Sequence, residues 1–349
     1  MKKSSKILLA AVLAIVISTG CSKEKETVQD SVDPVETEET EESGEEIIEF
    51  DNVFPLTGIS TNASIDHRPV AVTINNHRQA RPQSGLVDAD IVYEVLAEYE
   101  LTRLVAIYHS HQPTNIGPVR SARGYHIDLS KGYDAFFVSH GWSPEAKDRL
   151  LIQNETEHIN GMEGNNDGAL FKRSSERKAP HNSYISFANI EKGLESKGYN
   201  LSGEAKPLSF YEDIEDAIDG FPASEVTVLY NNLYDVTYKY DEARKAYSRY
   251  NGSSQSIDYE TEVPLNIHNI FIVEAEHKVV DDQGRRQINL TSGGKAILLQ
   301  NGVSIELEWV NEDGRILPAK NGEIIKLLQG QTWINIIPTS IEQRVVIEE

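Results

Sequence analysis

The stretch Pro69-Val-Ala-Val-Thr-Ile74 decides the fold class of this chain. It is a short apolar run rich in β-branched residues, and similar runs recur at residues 90–96, 104–108 and 136–138. Apolar runs of this length are typical of strands that are covered on both faces of a sheet. We therefore predict that the first part of the folded chain is built on a covered β-sheet.

Helix signals lie between these runs. Pro118 precedes apolar residues at helical spacing, so we predict a helix that opens at Pro118 and stops near Gly132. Ser143 and Ser186 are predicted to cap two further helices, the second of which ends at Gly198. The alternation of strands and helices indicates an α/β or α+β domain with a mostly parallel or mixed sheet.

The pattern of apolar and polar residues changes at about residue 224. Apolar and polar residues alternate there, as at Val226, Val228 and Tyr230, and turn dipeptides separate the alternating runs. Such dipeptides are hairpin signals. They are Asn251-Gly252, Gly293-Gly294, Asn301-Gly302, Asp313-Gly314 and Asn321-Gly322. We predict an α/β first domain over residues 51–223 and a mostly β second domain over residues 224–349.

Composition excludes several classes of function. The chain has 349 residues, a formal net charge of −22 and one cysteine. A single cysteine excludes an internal disulfide, a Cys-x-x-Cys redox pair and a multi-cysteine zinc site. The net acidity argues against a nucleic-acid partner, since phosphate backbones select basic surfaces. No His-Glu-x-x-His, EF-hand, Walker A or Gly-x-Gly-x-x-Gly pattern occurs, so we predict no metal and no cofactor.

The N-terminus has the pattern of a secretion signal. Three lysines precede the apolar run 7–17, which is too short to span a membrane and has the length of a signal-peptide core. Small residues follow at positions 18–20, and then comes Cys21. This pattern resembles a bacterial lipobox, except that Ser18 stands where an aliphatic residue is usual. The resemblance implies that residues 1–21 are a lipoprotein signal peptide and that Cys21 carries the lipid, palmitate, that anchors the chain in the membrane.

Residues 22–50 are predicted to be a disordered tether. They contain 12 acidic residues and two lysines, and almost no apolar residue before Ile47. Such a segment buries too little apolar surface to offset the entropy of ordering it. As a flexible coil it reaches roughly 30 Å, and the repulsion of its charges extends it. Because residues 1–21 carry a charge of +3 and the tether −10, the folded part carries −15.

Arginines in the loops of the first domain suggest an anion site. Arg120 and Arg123 fall in the first turn of the predicted helix with Ser121 between them, and helix N-termini attract anions. Arg81 and Arg103 are expected to join them from neighbouring loops. Arginine suits phosphate and carboxylate groups, so the hypothesis is a pocket for an anionic ligand. The alternative, left open, is an internal ion-pair network with Glu94, Glu98 or Asp128.

Three histidines are weak catalytic candidates. His77, His140 and His181 have the chemistry of a general acid or base. A serine beside one of them would be a candidate nucleophile, the choices being Ser121, Ser143 and Ser183. No Gly-x-Ser-x-Gly elbow surrounds these serines, and Ser143 is better explained as a helix cap. We favour structural roles for the histidines and make no prediction of an activity.

Several of these segments resemble the YerB-type lipoproteins of Gram-positive bacteria. The resemblance covers nearly the whole chain, and its main segments are residues 117–123, 140–144, 180–184, 269–275 and 330–334. It implies a two-domain lipoprotein on the extracytoplasmic face of the cell membrane. The family has no established biochemical function, so the resemblance implies no catalytic residues.

Two hypotheses of function follow. The first is a membrane-anchored extracytoplasmic protein that binds an anionic small molecule, an envelope polymer or a protein partner without turnover. The second is an enzyme that acts on a phosphate-bearing envelope substrate held by Arg81, Arg103, Arg120 and Arg123. A fold-level analogy to envelope glycopolymer ligases, which hold a pyrophosphate with arginines, lends the second slight support.

Overall fold

The computed structural model describes residues 50–217, 219–231 and 234–349. The predicted signal peptide, Cys21 and the tether up to residue 49 lie outside the described residues. The described residues belong to one compact unit. Among them, no helix has the length and apolar character needed to cross a membrane.

The first half of the described chain alternates strands with helices. Its strands are β1 Asn52–Val53, β2 Ser60–Thr61, β3 Val70–Asn75, β4 Ile91–Leu96, β5 Thr102–Tyr108, β6 Phe136–Ser139, β7 His158–Asn160, β8 Lys172–Arg173 and β9 Ser183–Tyr184. Its helices are α1 Gly124–Lys131, α2 Pro144–Leu151, α3 Asn166–Ala169 and α4 Phe187–Ser196. Short 3₁₀ turns add Arg78–Ala80, Leu86–Asp88 and Ile214–Asp216.

The second half is mostly strand. Its strands are β10 Phe221–Pro222, β11 Glu225–Asn231, β12 Tyr234–Asp241, β13 Ala246–Asn251, β14 Ser254–Gln255, β15 Asn269–Glu274, β16 His277–Val279, β17 Arg286–Ile288, β18 Gly294–Gln300, β19 Val303–Glu312, β20 Arg315–Lys320, β21 Glu323–Ile324, β22 Thr332–Ile337 and β23 Val345–Glu348. Helix α5 Ile341–Arg344 precedes the last of them.

A large mixed sheet runs through both halves. Its order is β21-β20-β19-β18-β15-β22-β4-β5-β3-β6-β7, and β10 pairs with β19. β3 is antiparallel to β5 and parallel to β6, whereas β22 is parallel to both β4 and β15. The predicted fold class is confirmed: a mixed sheet with helices comes first, and mostly antiparallel strands follow.

A second sheet covers one face of the large one. It has the order β14-β13-β12-β11-β23, and Tyr238 of this sheet shares a core with Val92 of β4. The next residue, Tyr93, points the other way and packs with Ile127 of α1. Successive side chains of a strand point to opposite faces, so β4 is buried on both. This double burial is the reason that the strand sequence is apolar except for Glu94, whose carboxylate pairs with Arg249 inside the protein.

Two predicted helix caps are confirmed. The hydroxyl of Ser143 accepts a hydrogen bond from the amide of Ala146 at 3.2 Å, and α2 follows. The hydroxyl of Ser186 accepts one from the amide of Asn189 at 3.2 Å, and α4 follows. Each cap satisfies an amide that the first turn leaves without a partner.

The predicted helix at Pro118 is wrong in its first turn. The chain around Pro118 is extended, and α1 begins only at Gly124. The amide of Asn75 donates to the carbonyl of Pro118 at 2.8 Å, and the amide of Val119 donates to that of Ser183 at 2.6 Å. Pairing with distant strands therefore outweighs the local helix signal.

Most of the predicted hairpin turns are confirmed. Asn301-Gly302 and Asp313-Gly314 have positive φ at both residues and join β18 to β19 and β19 to β20. Asn321-Gly322 and Asn251-Gly252 also lie in hairpins. The hairpin at Gly293-Gly294 is wrong, because β17 before it pairs with β16, and β18 after it pairs with β15 and β19.

The predicted domain boundary at residues 223 and 224 stays a prediction. Strands from both sides of it lie next to each other in the large sheet, where Trp333 of β22 is paired with Val92 of β4. The two halves of the sequence are therefore joined by main-chain hydrogen bonds as well as by side chains.

Candidate anion-binding site

The extended segment around Arg120 brings several loops together beyond the carboxyl end of β3 in the large sheet. The amide of Arg120 donates to the carbonyl of Thr73 in β3 at 2.8 Å, and its carbonyl accepts from the amide of His140 at 2.9 Å. Val119 is bonded to Ser183 in the same ladder. The loops that carry His77, Arg120, His140 and His181 consequently meet beyond the end of β3.

Two of the five predicted anion-site residues are neutralised inside the protein. Arg103 pairs with Glu98 through Nη2 and Oε2 at 2.9 Å, and Arg123 pairs with the other oxygen of Glu98. Burial opposes ionisation of Glu98, but the charges of Arg103 and Arg123 hold its pKa below the usual value. For Arg123, the internal ion pair with Glu98 that the sequence left open is the observed arrangement, and Arg103 joins the same pair.

Arg81 and Ser121 also have partners within the protein. Nε of Arg81 donates to Oδ1 of Asn76 at 3.0 Å, and its guanidinium lies 5.1 Å from the ring centre of Tyr234. Burial, and then the charge of Arg249, lower the pKa of Arg81. The hydroxyl of Ser121 donates to the carbonyl of His140 at 3.2 Å. Neither side chain is joined to Arg120 by a contact.

Arg120 resembles Arg81 in forming no ion pair with a described carboxylate and in having a buried guanidinium nitrogen without a partner, which is Nη2 in Arg81 and Nε in Arg120. Nη1 of Arg120 lies 3.5 Å from the carbonyl oxygen of Pro180, at the limit of a hydrogen bond, and its Nε is buried. Among the described residues, Nε has no partner and no carboxylate forms an ion pair with the guanidinium. Burial, and then the charge of Arg123, lower the pKa of Arg120. This partly buried positive charge thus has no ion-pair partner in the described ranges, and only the more distant charge of Glu98 acts to raise its pKa.

His77 and His181 stack on each other beside Arg120. Their ring centres are 4.5 Å apart and their planes differ by 18°. Nδ1 of His77 accepts from the amide of Gln79 at 3.1 Å. Nδ1 of His181 lies 2.8 Å from Nδ2 of Asn75, whose Oδ1 accepts from the amide of His77.

These contacts fix the tautomers of the two rings. A backbone amide and the Asn75 amino group can only donate, so both Nδ1 atoms accept and both protons lie on Nε2. Burial, and then nearby cations, lower the pKa of His77, and the same causes lower the pKa of His181. Near neutral pH both rings are therefore uncharged, and each presents an Nε2–H donor beside the Arg120 charge.

His140 is placed as a structural residue. Its Nδ1 lies 2.7 Å from Oγ of Ser183, and its Nε2 lies 2.9 Å from Nη2 of Arg173. A guanidinium has no acceptor, so Nε2 accepts and Nδ1–H donates to Ser183. In this state His140 cannot take the proton of Ser183, although Asp167 lies 3.7 Å from Nε2. Ser183 itself is almost wholly buried.

The sequence located part of this site. It named Arg120 as a ligand residue and His77 and His181 as weak catalysts, but it did not join the three. A signal was present in residues 172–178, which hold four cations and one acid in an acidic chain. No group of three His, Cys, Asp or Glu side chains in the described ranges is arranged to hold a metal ion.

A cleft elsewhere on the protein is lined by side chains of both charges. This cleft of about 730 Å³ lies between the end of α1 and the segment around β17, and it is lined by both acids and lysines, among them Glu276 and Lys278. Its mixed charge does not select an anion. The cluster of Arg120, His77 and His181 shares no residue with it.

Comparison with known proteins places the chain among uncharacterised proteins. Residues 56–200 match a family model described as "Protein of unknown function (DUF3048) N-terminal domain", and residues 226–334 match the corresponding C-terminal domain. The Bacillus subtilis (strain 168) protein named "Putative lipoprotein YerB" is 47% identical over 291 residues, which are 81% of this chain and 86% of that protein. The crystal structure of the Bacillus subtilis YerB protein is similar with a TM-score of 0.79 and 44% identity, and the match covers 85% of this chain and 100% of the other.

Proposed function

Because the chain belongs to the DUF3048 family, with a relative named as a lipoprotein, we propose that it is a lipid-anchored protein that binds an anionic, phosphate-bearing ligand outside the cytoplasm. The contact is made by Arg120 together with His77 and His181, called here the anion contact. The ligand is bound and not turned over.

The observation that carries this proposal is the unpaired guanidinium of Arg120. A partly buried charge without an ion-pair partner is costly, and a bound anion would supply that partner. Its neighbours Arg103 and Arg123 share Glu98, so carboxylates are available in this region. The two Nε2–H groups beside Arg120 add donors that suit phosphate oxygens.

The same geometry argues against turnover. General acid–base catalysis of an in-line displacement at phosphorus needs its two groups on opposite sides of the reacting phosphorus. His77 and His181 stack directly at 4.5 Å, which leaves no space for a phosphoryl group between them. The pair of His140 and Ser183 has its proton on the wrong nitrogen for nucleophile activation. Neither pair therefore supports the alternative, an enzyme acting on a phosphate-bearing substrate.

The test of the anion contact is binding of inorganic pyrophosphate to the full chain in detergent, measured by titration calorimetry at low salt. We expect Arg120→Gln to weaken binding by about 10- to 100-fold, because a hydrogen bond to a charged group is worth about 1.5–3 kcal/mol. Arg244→Gln is the matched control, since this exposed arginine pairs with Asp241 in a distant turn. Equal affinity of the wild type and Arg120→Gln would overturn the proposal.

Anchoring is proposed to depend on Cys21. The relative named as a lipoprotein supports it, as do the apolar run 7–17 and the small residues before Cys21. The proposed lipid is palmitate. As a flexible coil, residues 22–50 would allow the folded residues 51–349 to lie up to roughly 30 Å from the membrane. We propose that these residues lie on the extracytoplasmic face of a Gram-positive cell.

The test of anchoring is the variant Cys21→Ala in the full chain. We expect loss of labelling by radioactive palmitate and release of the protein from the membrane fraction, with Ser22→Ala as the control that keeps both. Protease added to intact cells should cleave the wild type if it lies on the outer face. Labelling of Cys21→Ala at the wild-type level would refute the anchor.

A further inference from the structure

We infer that the ligand of the anion contact is a linear chain of phosphates, which continues from Arg120 over an exposed row of cations. This inference rests on the proposed function and adds the class of ligand to it. The row consists of Arg78, Lys172, Arg173, Arg177 and Lys178 and is called the basic strip.

The basic strip is formed by two segments that are held together by hydrogen bonds and ring stacking. One loop follows β3 and holds Arg78, and the other segment consists of β8, which holds Lys172 and Arg173, and the loop from β8 to β9, which holds Arg177 and Lys178. Arg177 donates to the carbonyls of Ala80 and Pro82, the second at 2.5 Å, and its guanidinium lies 4.7 Å from the ring centre of Tyr259. His181, at the end of the second loop, stacks on His77 of the first. The loops that carry Arg78 and Arg177 are therefore the same loops that carry His77 and His181 of the anion contact.

The charge of the strip opposes that of the rest of the protein. Residues 77–82 hold two arginines and no acid, and residues 172–178 hold four cations and one acid, whereas residues 51–349 together carry −15. Arg173 pairs with Asp167 at 2.8 Å, and the one acid of the loop, Glu176, is bonded to the hydroxyl of Tyr259. Arg78, Lys172 and Lys178 are exposed, and no ion pair joins them to a described carboxylate.

Exposed cations of this kind favour a polymer over a single anion. Each one adds little to the binding of a small ion, because water and salt screen it. A chain of phosphates contacts all of them at once, and each contact after the first is intramolecular and releases condensed counterions. The strip therefore adds affinity only for a ligand that is long enough to leave the anion contact.

The chemistry of the strip points to phosphates and not to nucleobases. Proteins that bind single-stranded nucleic acid offer aromatic faces on which bases stack. Beside the strip, the guanidinium of Arg177 lies over the ring of Tyr259, and the rings of His77 and His181 stack on each other. The exposed side chains of Arg78, Lys172 and Lys178 offer positive charge and hydrogen-bond donors, which suit the backbone of a polyanion.

The test compares pyrophosphate, tripolyphosphate and long-chain inorganic polyphosphate as ligands of the full chain, with affinity expressed per phosphate. We expect the long chain to bind at least about tenfold more tightly than pyrophosphate. The triple variant Arg78→Gln/Lys172→Gln/Lys178→Gln should lose this gain and keep pyrophosphate binding. The slope of log Kd against log salt should fall by about 2, because each cation that neutralises a phosphate contributes about 0.7 to it.

The control variant removes three exposed lysines elsewhere, Lys239→Gln/Lys245→Gln/Lys295→Gln, and should bind long polyphosphate as the wild type does. Equal affinity per phosphate for all chain lengths would overturn the inference while the anion contact stands. Failure of pyrophosphate to bind at all would remove both. Tighter binding of a single-stranded oligonucleotide than of polyphosphate, per phosphate, would also overturn it, because bases would then be recognised.

Discussion

At the scale of single residues, the most deeply buried charge in the structure serves the fold and not the ligand. Glu94 pairs with Arg249 at 2.6 Å, with 1% and 3% of their side chains exposed. The second oxygen of Glu94 accepts from Asn76 and Thr102, both at 2.9 Å. Arg249 also lies 4.8 Å from the ring centre of Trp333. Through this pair, β4 of the large sheet is joined to β13 of the second sheet.

We predict that Glu94→Gln destabilises the protein by about 3–5 kcal/mol, because it leaves the charge of Arg249 buried without a partner. The measurement is urea unfolding followed by tryptophan fluorescence. Glu225→Gln is the control, since Glu225 pairs with Lys239 at an exposed site, and its effect should be far smaller. An equal loss of unfolding free energy in Glu94→Gln and Glu225→Gln would show that the buried ion pair stabilises the protein no more than the exposed one.

The residues of the site were only partly within reach of the sequence. Glu98 lies in the turn between β4 and β5, and Arg103 is near the start of β5, so their pair is local to one hairpin. Arg123 reaches the same carboxylate from another part of the chain. The tautomers of His77 and His181 depend on Asn75 and on the loop amide of Gln79, which a one-dimensional pattern does not join.

At the scale of elements, the sequence predicted those strands and helices whose positions depend on residues close together in the chain. The apolar runs became β3, β4, β5 and β6, because strands covered on both faces are mostly apolar, and buried charges within them, such as Glu94, have partners inside the protein. The caps Ser143 and Ser186 act within one turn of their helices. The segment around Pro118 failed, since its backbone partners are residues 74, 84 and 185, far away in the sequence.

At the scale of the whole molecule, the position of β22 makes the two halves dependent on each other. β22 comes late in the chain and lies between β15 and β4, parallel to both. Without the second half, β4 would present an unpaired apolar edge, and such edges aggregate. The first half would lose the neighbour that completes its sheet.

We predict that residues 50–223 expressed alone aggregate and that co-expression with residues 224–349 gives a soluble complex, measured by size-exclusion chromatography. A protease site placed in the exposed loop at Glu212 provides the control, since the cut chain should migrate as one particle. Two separately soluble and folded halves would contradict this prediction, and they would support independent domains with a boundary at residue 223.

The position of β3 between β5 and β6 determines how the large sheet would bear a pulling force. β3 pairs with β5 over six residues and with β6 over three, and the chain leaves it two residues before His77. A ligand that pulls on this loop therefore loads β3 along its own axis. The ladders on both sides are sheared together, so the force is shared by all their hydrogen bonds and does not peel them one at a time. If the proposed anchor and ligand exist, we therefore expect tension on the ligand to be carried by the ladders of β3 without opening the sheet.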